Sequence, residues 1–190
     1  GHNPANFAAM LFGGGGALHA GALIKDVGLA NALVPRYPGV TSALGCTIAD
    51  MRHDFVQTLN CMLDVLEVKD LRTRFSALAD EGYALLDEAG VSFIKRLSLF
   101  ELDMSYLGQT HTVDVPLEVF SKNGEFSLSL AGIQSAFESR YKAVFGNPLV
   151  DIPLRVLNLR VSVIGLRQKF DLHLLAPGSD GDVQAATLGS

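Results

Sequence analysis

The feature that most constrains the fold of this chain is a run of four glycines at residues 13–16. The preceding segment, residues 7–12, is apolar throughout, which predicts a short strand buried on both faces. A helical pattern begins near Ala17 and stops at Gly28, a residue suited to the left-handed conformation that ends many helices. The sequence therefore predicts a strand, a glycine loop and a helix, in that order.

A glycine loop of this kind serves either a ligand or tight packing. Glycine lets the backbone approach a ligand closely, and a helix N-terminus offers phosphate free N–H groups and the positive end of its dipole. The P-loop pattern is excluded because Ala17 follows Gly16 where that pattern needs Lys. The dinucleotide pattern is excluded because Leu18 or His19 stands where it needs a third small residue.

The elements that follow continue an α/β arrangement up to about residue 60. Residues 32–34 predict a second short strand, which Pro35 ends, and Pro38 suits the first turn of another helix. Alternation of apolar and polar residues over 51–56 then predicts a half-exposed strand.

Beyond residue 60 the pattern becomes a long helix followed by antiparallel strands, a mixed α+β arrangement. The long helix has one apolar face that includes Phe75, Leu78 and Leu85, which predicts core or a subunit contact. Gly108-Gln109 separates two alternating segments, as a hairpin turn does. The predicted elements are a helix over 70–89, strands over 100–106 and 111–119, a helix over 130–144 and a strand over 157–163.

The pattern also predicts a division of the chain into two domains. The first comprises residues 1–60 and the second residues 61–175, with the long helix as the bridge. Residues 176–190 are small, polar and rich in glycine, which predicts a disordered tail or a segment cut from its continuation. Gly1-His2 resembles the remnant of a removed tag, so we expect the chain to be a fragment.

Composition excludes several classes of function. Fifteen Lys and Arg are scattered among twenty Asp and Glu, so no basic block is present and nucleic acid is not expected as a partner. The two cysteines, Cys46 and Cys61, cannot form a zinc site alone and are expected to be reduced. The apolar run at residues 7–12 is far shorter than the ~20 residues that span a bilayer. We expect a cytoplasmic protein with no membrane partner.

An ordered set of motifs resembles the hydantoinase A/5-oxoprolinase family. The glycine-rich segment of that family reads Gly-Gly-Ala-Gly-Pro-x-His-Ala, and this chain departs from it at Gly15 and Ala17, both small-for-small changes. The other matching motifs are Pro35-x-Tyr37-Pro38-Gly39, Ser42-Ala43-Leu44-Gly45, Ala49-Asp50-x-Arg52-His53-Asp54, Tyr106-x-Gly108-Gln109, Glu138-x-Arg140-Tyr141 and Asn158-Leu159-Arg160. Together they extend over most of the chain.

The resemblance implies a fragment of an actin-like ATPase fold, followed by an α+β region. It implies an ATP-dependent hydrolase that opens cyclic amides such as 5-oxoproline or hydantoins, with ATP and Mg²⁺ as cofactors. It also implies a second hydantoinase-type subunit as a partner in a homo- or hetero-oligomer. The nucleotide-binding residues would be Gly13, Gly14, Gly15 and Gly16, and His19 would contact phosphate, metal or substrate. No catalytic residue or metal ligand is assigned.

Two alternatives stay open beside the hydrolase. The same motifs resemble subunits of ATP-dependent ketone carboxylases, and the region after residue 60 also suits a non-catalytic interaction module or scaffold. The family's N-terminal phosphate loop, which contains an Asp, is not found in this chain. We therefore expect the isolated fragment to be inactive and to hold no tightly bound nucleotide.

The motif Arg52-His53-Asp54 invites comparison with a catalytic His–Asp pair. Because successive side chains on a strand point to opposite faces, we expect Arg52 and Asp54 to form a structural ion pair and His53 to lie on the other face.

Two other polar groups are also expected to be structural. Tyr106, Gln109 and His111 cluster around a turn, which suits a surface or an interface better than catalysis. Arg140 and Glu138 are expected on a solvated helix face.

Overall fold

The computed structural model describes residues 2–119 and 126–171, and the chain forms two compact units. Of the described residues, unit 1 contains 2–49 and 168–171, and unit 2 is Asp50–Arg167. The division lies at Asp50 instead of near residue 60, because residues 51–62 pair with the sheet of unit 2. The expected tail over residues 176–190 lies outside the described residues.

Unit 1 has the predicted order of strand, glycine loop, helix, strand and helix. Its two strands are parallel, with Ala9 beside Ala32. Gly28, at φ 73°, ends the first helix and donates its N–H to the carbonyl oxygen of Ile24. This is the left-handed helix end that the sequence predicted. The elements are β1 (Ala8–Met10), α1 (Ala20–Val27), β2 (Asn31–Leu33) and α2 (Thr41–Ile48), with 3₁₀ turns at Pro4–Asn6, Gly16–His19 and Pro38–Val40.

The prediction that the first strand is buried on both faces was wrong for the described part of the chain. Phe7, Met10 and Phe12 are 50%, 54% and 46% exposed, whereas Leu11 is buried. The sheet of unit 1 has two strands, and no other described strand pairs with them. These side chains therefore lack the layers that normally cover both faces of a parallel sheet.

Unit 2 is built on a four-stranded antiparallel sheet. The strand order is β3-β6-β4-β5, so β6, the last of the described strands, lies between β3 and β4. The predicted hairpin is confirmed, because β4 and β5 pair across a turn that contains Gly108 at φ 89°. The elements are β3 (Met51–Met62), α3 (Val68–Glu88), β4 (Lys95–Tyr106), β5 (Val113–Leu117), α4 (Leu130–Phe145) and β6 (Leu154–Leu166), with a 3₁₀ turn at Leu63–Val65.

The core of unit 2 lies between the sheet and its two helices. Leu71, Phe75 and Leu86 of α3 are fully buried, and the Phe75 ring meets that of Phe100 edge-on with centroids 5.1 Å apart. The stripe predicted on the long helix is therefore core, although Leu85 at its margin is 36% exposed. The side chains that α4 buries are Ile133, Phe137 and Tyr141. Within the described ranges, no helix is both long and apolar enough to cross a membrane.

Gly82 lets α3 lie very close to the sheet. A Cβ at this position would come within 2.5 Å of Cγ2 of Val163 on β6 and 3.0 Å of the Phe55 ring on β3. Both distances are shorter than ordinary carbon–carbon contacts. The helix therefore sits where only glycine fits.

Successive side chains of each strand point to opposite faces of the sheet. Those that do not face the helices lie on the other face, which we call the open face. It is mostly polar, and its β3 side chains are exposed to solvent. The polar residues of the open face are Arg52, Asp54, Thr58, Glu101, Asp103, Asn158, Arg160 and Ser162.

Candidate functional site

Gly13 sets the conformation of the glycine loop. Its φ of 85° lies in the left-handed region, which glycine adopts without steric cost. Its N–H donates to the carbonyl oxygen of Pro38 at 2.8 Å, which ties the loop to the 3₁₀ turn before α2. The entry of the loop is therefore fixed, and a side chain at this position would strain the backbone.

The three glycines that follow leave open space around the backbone. A Cβ on Gly14, Gly15 or Gly16 would meet nothing within 4 Å apart from chain neighbours. Among the described residues, the N–H groups of Gly14 and Gly15 donate no hydrogen bond. Packing within the described part of the chain does not account for these glycines, whereas a ligand would find both space and donors there.

The loop leads directly into a helix N-terminus. Leu18 donates its N–H to Gly15 at 3.2 Å and so begins the 3₁₀ turn that precedes α1. His19 is the N-cap of α1, and its exposed side chain makes no capping hydrogen bond. The first turn of α1 has no acidic side chain, so no negative charge there opposes an anion. The four glycines and His19 thus form one continuous, accessible junction in unit 1.

The open face of the sheet in unit 2 carries a second polar cluster. Both carboxylate oxygens of Asp54 lie 2.9 Å from Nε of Arg52, and another guanidinium nitrogen of Arg52 donates to Oγ of Ser162. Ser162 in turn donates to Asp54. The hydrogen bonds from Arg52 and then Ser162 hold the pKa of the Asp54 carboxyl below its ordinary value. The predicted ion pair between Arg52 and Asp54 is confirmed.

The neighbouring polar side chains on the open face also form hydrogen bonds with one another. Asp103, which is 5% exposed, accepts hydrogen bonds from Nε of Arg160 at 2.8 and 2.9 Å and from the amide of Asn158 at 2.8 Å. The bond to Asp103 raises the pKa of the Arg160 guanidinium. Asn158 accepts from Thr58 at 3.1 Å. Since these groups satisfy one another, the cluster acts as a structural network across three strands.

Strand β6 is what brings the separate polar motifs together. In its register Ser162 lies opposite Asp54 and Asn158 lies opposite both Thr58 and Asp103. Sequence reasoning missed Asp103 and Ser162, because their partners lie 55 and 108 residues away in the chain. The only signal for Asp103 in the sequence is a polar residue within an alternating segment.

His53 takes no part in the cluster on the open face. It lies on the face of β3 that packs towards the helices, opposite Val163 in register. Its Nε2 is buried and has no hydrogen-bond partner among the described residues. No His53–Asp54 pair forms, as the strand geometry predicted.

Tyr106, Gln109 and Tyr141 form a third group, at the hairpin and α4. Gln109 donates from Nε2 to the Tyr141 hydroxyl at 2.9 Å, and the Tyr106 and Tyr141 rings meet edge-on at 4.9 Å. The Tyr106 hydroxyl accepts the N–H of Leu149 at 2.9 Å, and burial raises the pKa of Tyr106. These contacts fix the loop before β6 against the hairpin. His111 is exposed and has no part in them.

Arg140 is half-buried, and its ion-pair partner lies on another element. It donates to the backbone oxygen of Asp114 at 3.1 Å and to its carboxylate at 2.7 Å, which joins α4 to β5. Glu138 instead accepts a hydrogen bond from Gln134, one turn earlier on the same helix.

Known proteins match both the sequence and the fold of this chain. Residues 1–55 match the family model described as Hydantoinase/oxoprolinase. The caprolactamase subunit alpha of Pseudomonas jessenii is 28% identical over 179 residues, which cover 93% of this chain and 25% of that protein. The crystal structure of ATP-dependent caprolactamase from the same species matches with a TM-score of 0.61 at 29% identity, over 88% of this chain and 24% of that one.

A second solved structure supports the fold alone. The nucleotide-free structure of acetone carboxylase matches with a TM-score of 0.67 at 18% identity, over 89% of this chain and 25% of that chain. The predicted mixed α/β and α+β fold is confirmed by these similarities and by the strands themselves. The chain spans about a quarter of the length of the proteins described here.

Proposed function

We propose that this chain, whose residues 1–55 match the hydantoinase/oxoprolinase family model, is part of an ATP-dependent enzyme that opens cyclic amides. In this proposal the glycine loop of unit 1 lines the nucleotide cleft and unit 2 supplies subunit contacts. The similar proteins include an ATP-dependent caprolactamase, whose name denotes a cyclic amide as substrate.

The observation that carries the proposal is the geometry of the glycine loop. Gly13 holds a left-handed turn, while Gly14 and Gly15 have open space beside the backbone and N–H groups that donate to no acceptor among the described residues. Donors of this kind, next to a helix N-terminus without acidic side chains, suit the oxygens of a nucleotide. His19, at the start of α1, would lie near phosphate or substrate.

In the proposed reaction the γ-phosphoryl group of ATP would be transferred to the amide carbonyl oxygen, and ADP would be released. Water would then attack the carbonyl carbon, the ring C–N bond would break with a proton passing to the nitrogen, and inorganic phosphate would leave. This chain would bind and orient the nucleotide, because positioning and electrostatic stabilisation account for most of phosphoryl-transfer catalysis. ATP would enter as its Mg²⁺ complex. We assign no Mg²⁺ ligand here, since no three His, Cys, Asp or Glu side chains cluster among the described residues.

A partner subunit is the second element of the proposal. One similar protein is named as subunit alpha of its enzyme, which supports a homo- or hetero-oligomer for this one. We also propose that the chain by itself does not hydrolyse ATP, because it spans about a quarter of its relatives.

The test is ATP hydrolysis by the complete protein that contains this chain, with and without a candidate second subunit. Caprolactam, 5-oxoproline and hydantoin would each be added in turn. Stimulation by one ring supports the proposal and identifies the substrate class. Stimulation only by acetone with bicarbonate would replace it with the ketone carboxylase alternative. Hydrolysis that no ring and no ketone changes would leave the scaffold alternative.

A further inference from the structure

A groove on unit 2 lies between α4 and the segment that leads into β6. It consists of two adjoining cavities, of about 370 Å³ and about 340 Å³, which share Gln134, Ile152 and Leu154 as walls. The first cavity extends to the turn at Leu63–Val65, and the second extends to Tyr106 and residues 148–151. The groove belongs neither to the glycine loop nor to the polar network of the open face.

Several apolar side chains that line the groove are exposed to solvent. Leu149, Val150 and Ile152 line it and are 42%, 80% and 38% exposed. Val65, which follows Asp64 of the first cavity in sequence, is 68% exposed. Contiguous apolar residues of this kind usually mark a protein interaction site.

All the charged residues that line the groove in the described part of the chain are acidic. They are Asp64 in the first cavity and Glu138 and Asp151 in the second, and no described Lys, Arg or His lines either cavity. Arg140, the nearest cation in sequence to Glu138, is bound to Asp114 on β5. The groove therefore combines an apolar floor with a negative rim.

The segment that carries Val150 is fixed in place. The N–H of Leu149 donates to the buried Tyr106, and Pro153 accepts the N–H of Leu107 at 2.9 Å. Asp151 adopts a left-handed φ of 59°, a conformation that Asp tolerates better than most residues. This turn lies between the exposed side chains of Val150 and Ile152. A partner would therefore meet a preorganised surface, which lowers the entropic cost of binding.

We propose that this groove binds a segment of another polypeptide that carries apolar side chains flanked by Lys or Arg. The apolar residues would cover Val150 and Ile152, and the cations would pair with Asp64, Glu138 and Asp151. An amphipathic helix presents both kinds of side chain at the required spacing. The inference does not depend on the proposed enzymatic activity, because nothing in it involves nucleotide.

The test measures binding of two fluorescent model peptides to the purified 190-residue chain. One peptide of about 16 residues combines Leu with Lys in an amphipathic helical pattern, and the other replaces Lys with Glu. The groove variant is Asp64→Asn with Glu138→Gln and Asp151→Asn. The matched control is Asp80→Asn with Glu81→Gln and Glu88→Gln, which changes three exposed acids of α3 and gives the same net charge. A third variant, Val150→Ser, removes an exposed apolar side chain without touching the charge.

We expect the Leu/Lys peptide to bind the wild-type chain and the Leu/Glu peptide to bind much more weakly. The groove variant should lower the affinity by about tenfold, and the α3 control by less than about twofold. Val150→Ser should also weaken binding, while circular dichroism stays unchanged for every variant.

An equal loss of peptide affinity in the groove variant and the α3 control would mean that net charge attracts the peptide nonspecifically, which would overturn the proposal. Self-association of the chain that Val150→Ser abolishes would also overturn it, because the occupant would then be a second copy.

Discussion

Replacing Gly82 by alanine should destabilise unit 2, although alanine is the better helix former. Gly82 lies in the middle of α3, where alanine normally gains about 1 kcal/mol over glycine. Here the added methyl would lie 2.5 Å from Cγ2 and 2.7 Å from Cβ of Val163. Neither atom is the end of a flexible side chain, so the helix would have to move away from β6 by on the order of 1 Å.

The magnitude follows from two opposing terms. Overpacking of a well-packed core costs typically about 1–3 kcal/mol, and contacts this short place Gly82→Ala at the upper end. Subtracting the gain of about 1 kcal/mol in helix propensity leaves a net loss of about 2 kcal/mol. Val163→Ala creates space at the same point, so the double variant should lose about 1–2 kcal/mol less than the sum of the two single variants.

The assay is urea unfolding followed by circular dichroism, with both single variants and the double variant measured together. Gly45→Ala in α2 is the control, because a Cβ there meets nothing within 4 Å. That variant should be neutral or more stable by up to about 1 kcal/mol. A Gly82→Ala chain as stable as the wild type, with additive effects in the double variant, would refute the inferred close approach of α3 to β6.

Three further predictions concern unit 2 and use the same unfolding assay. Phe75→Ala should cost about 3–5 kcal/mol, because it empties a fully buried site in the core, and a loss below about 1 kcal/mol would contradict that burial. Asp54→Asn should cost less than about 1 kcal/mol at neutral pH, because its ion pair with Arg52 is exposed. The pKa of the Asp54 carboxyl is lower in the folded state than in the unfolded state. The stability advantage of the wild type over Asp54→Asn should therefore be fully present above about pH 5, shrink as pH falls through the pKa of the folded state and disappear below it. His53→Leu should be at least as stable as the wild type, because it removes a buried Nε2 that has no hydrogen-bond partner among the described residues; a loss above about 1 kcal/mol would contradict this reasoning.

Local periodicity was enough to predict most elements of this chain. The apolar stripe of α3 and the alternation around Gly108 are short-range signals, and both elements form where they were expected. The left-handed end of α1 at Gly28 was predictable for the same reason, since it depends on one residue and its neighbours. Strand β4 begins at Lys95, earlier than predicted, because its first residues are charged and conceal the alternation.

The partners of each element could not be predicted in this way. The insertion of β6 between β3 and β4 decides that Asp103 meets Arg160, and nothing local to either residue reveals it. In the sequence, Gly82 is a poor helix former inside a predicted helix. Its role becomes clear only in the structure, where Val163 lies so close that a larger side chain would not fit. The exposure of the first strand was not predicted, because an apolar run indicates only a tendency to be buried. It does not show whether another layer of structure covers the strand.

The most direct test of the central claim is ATP binding by the full-length protein. Affinity for a fluorescent ATP analogue would be compared between the wild type and the double variant Gly14→Val with Gly15→Val. Gly45→Val is the control, because it adds the same side chain in open space on α2, away from the turn that holds Gly13. The account predicts affinity at least about tenfold weaker for the double variant and near the wild type for the control. Equal affinity for all three proteins would contradict the placement of the nucleotide at the glycine loop.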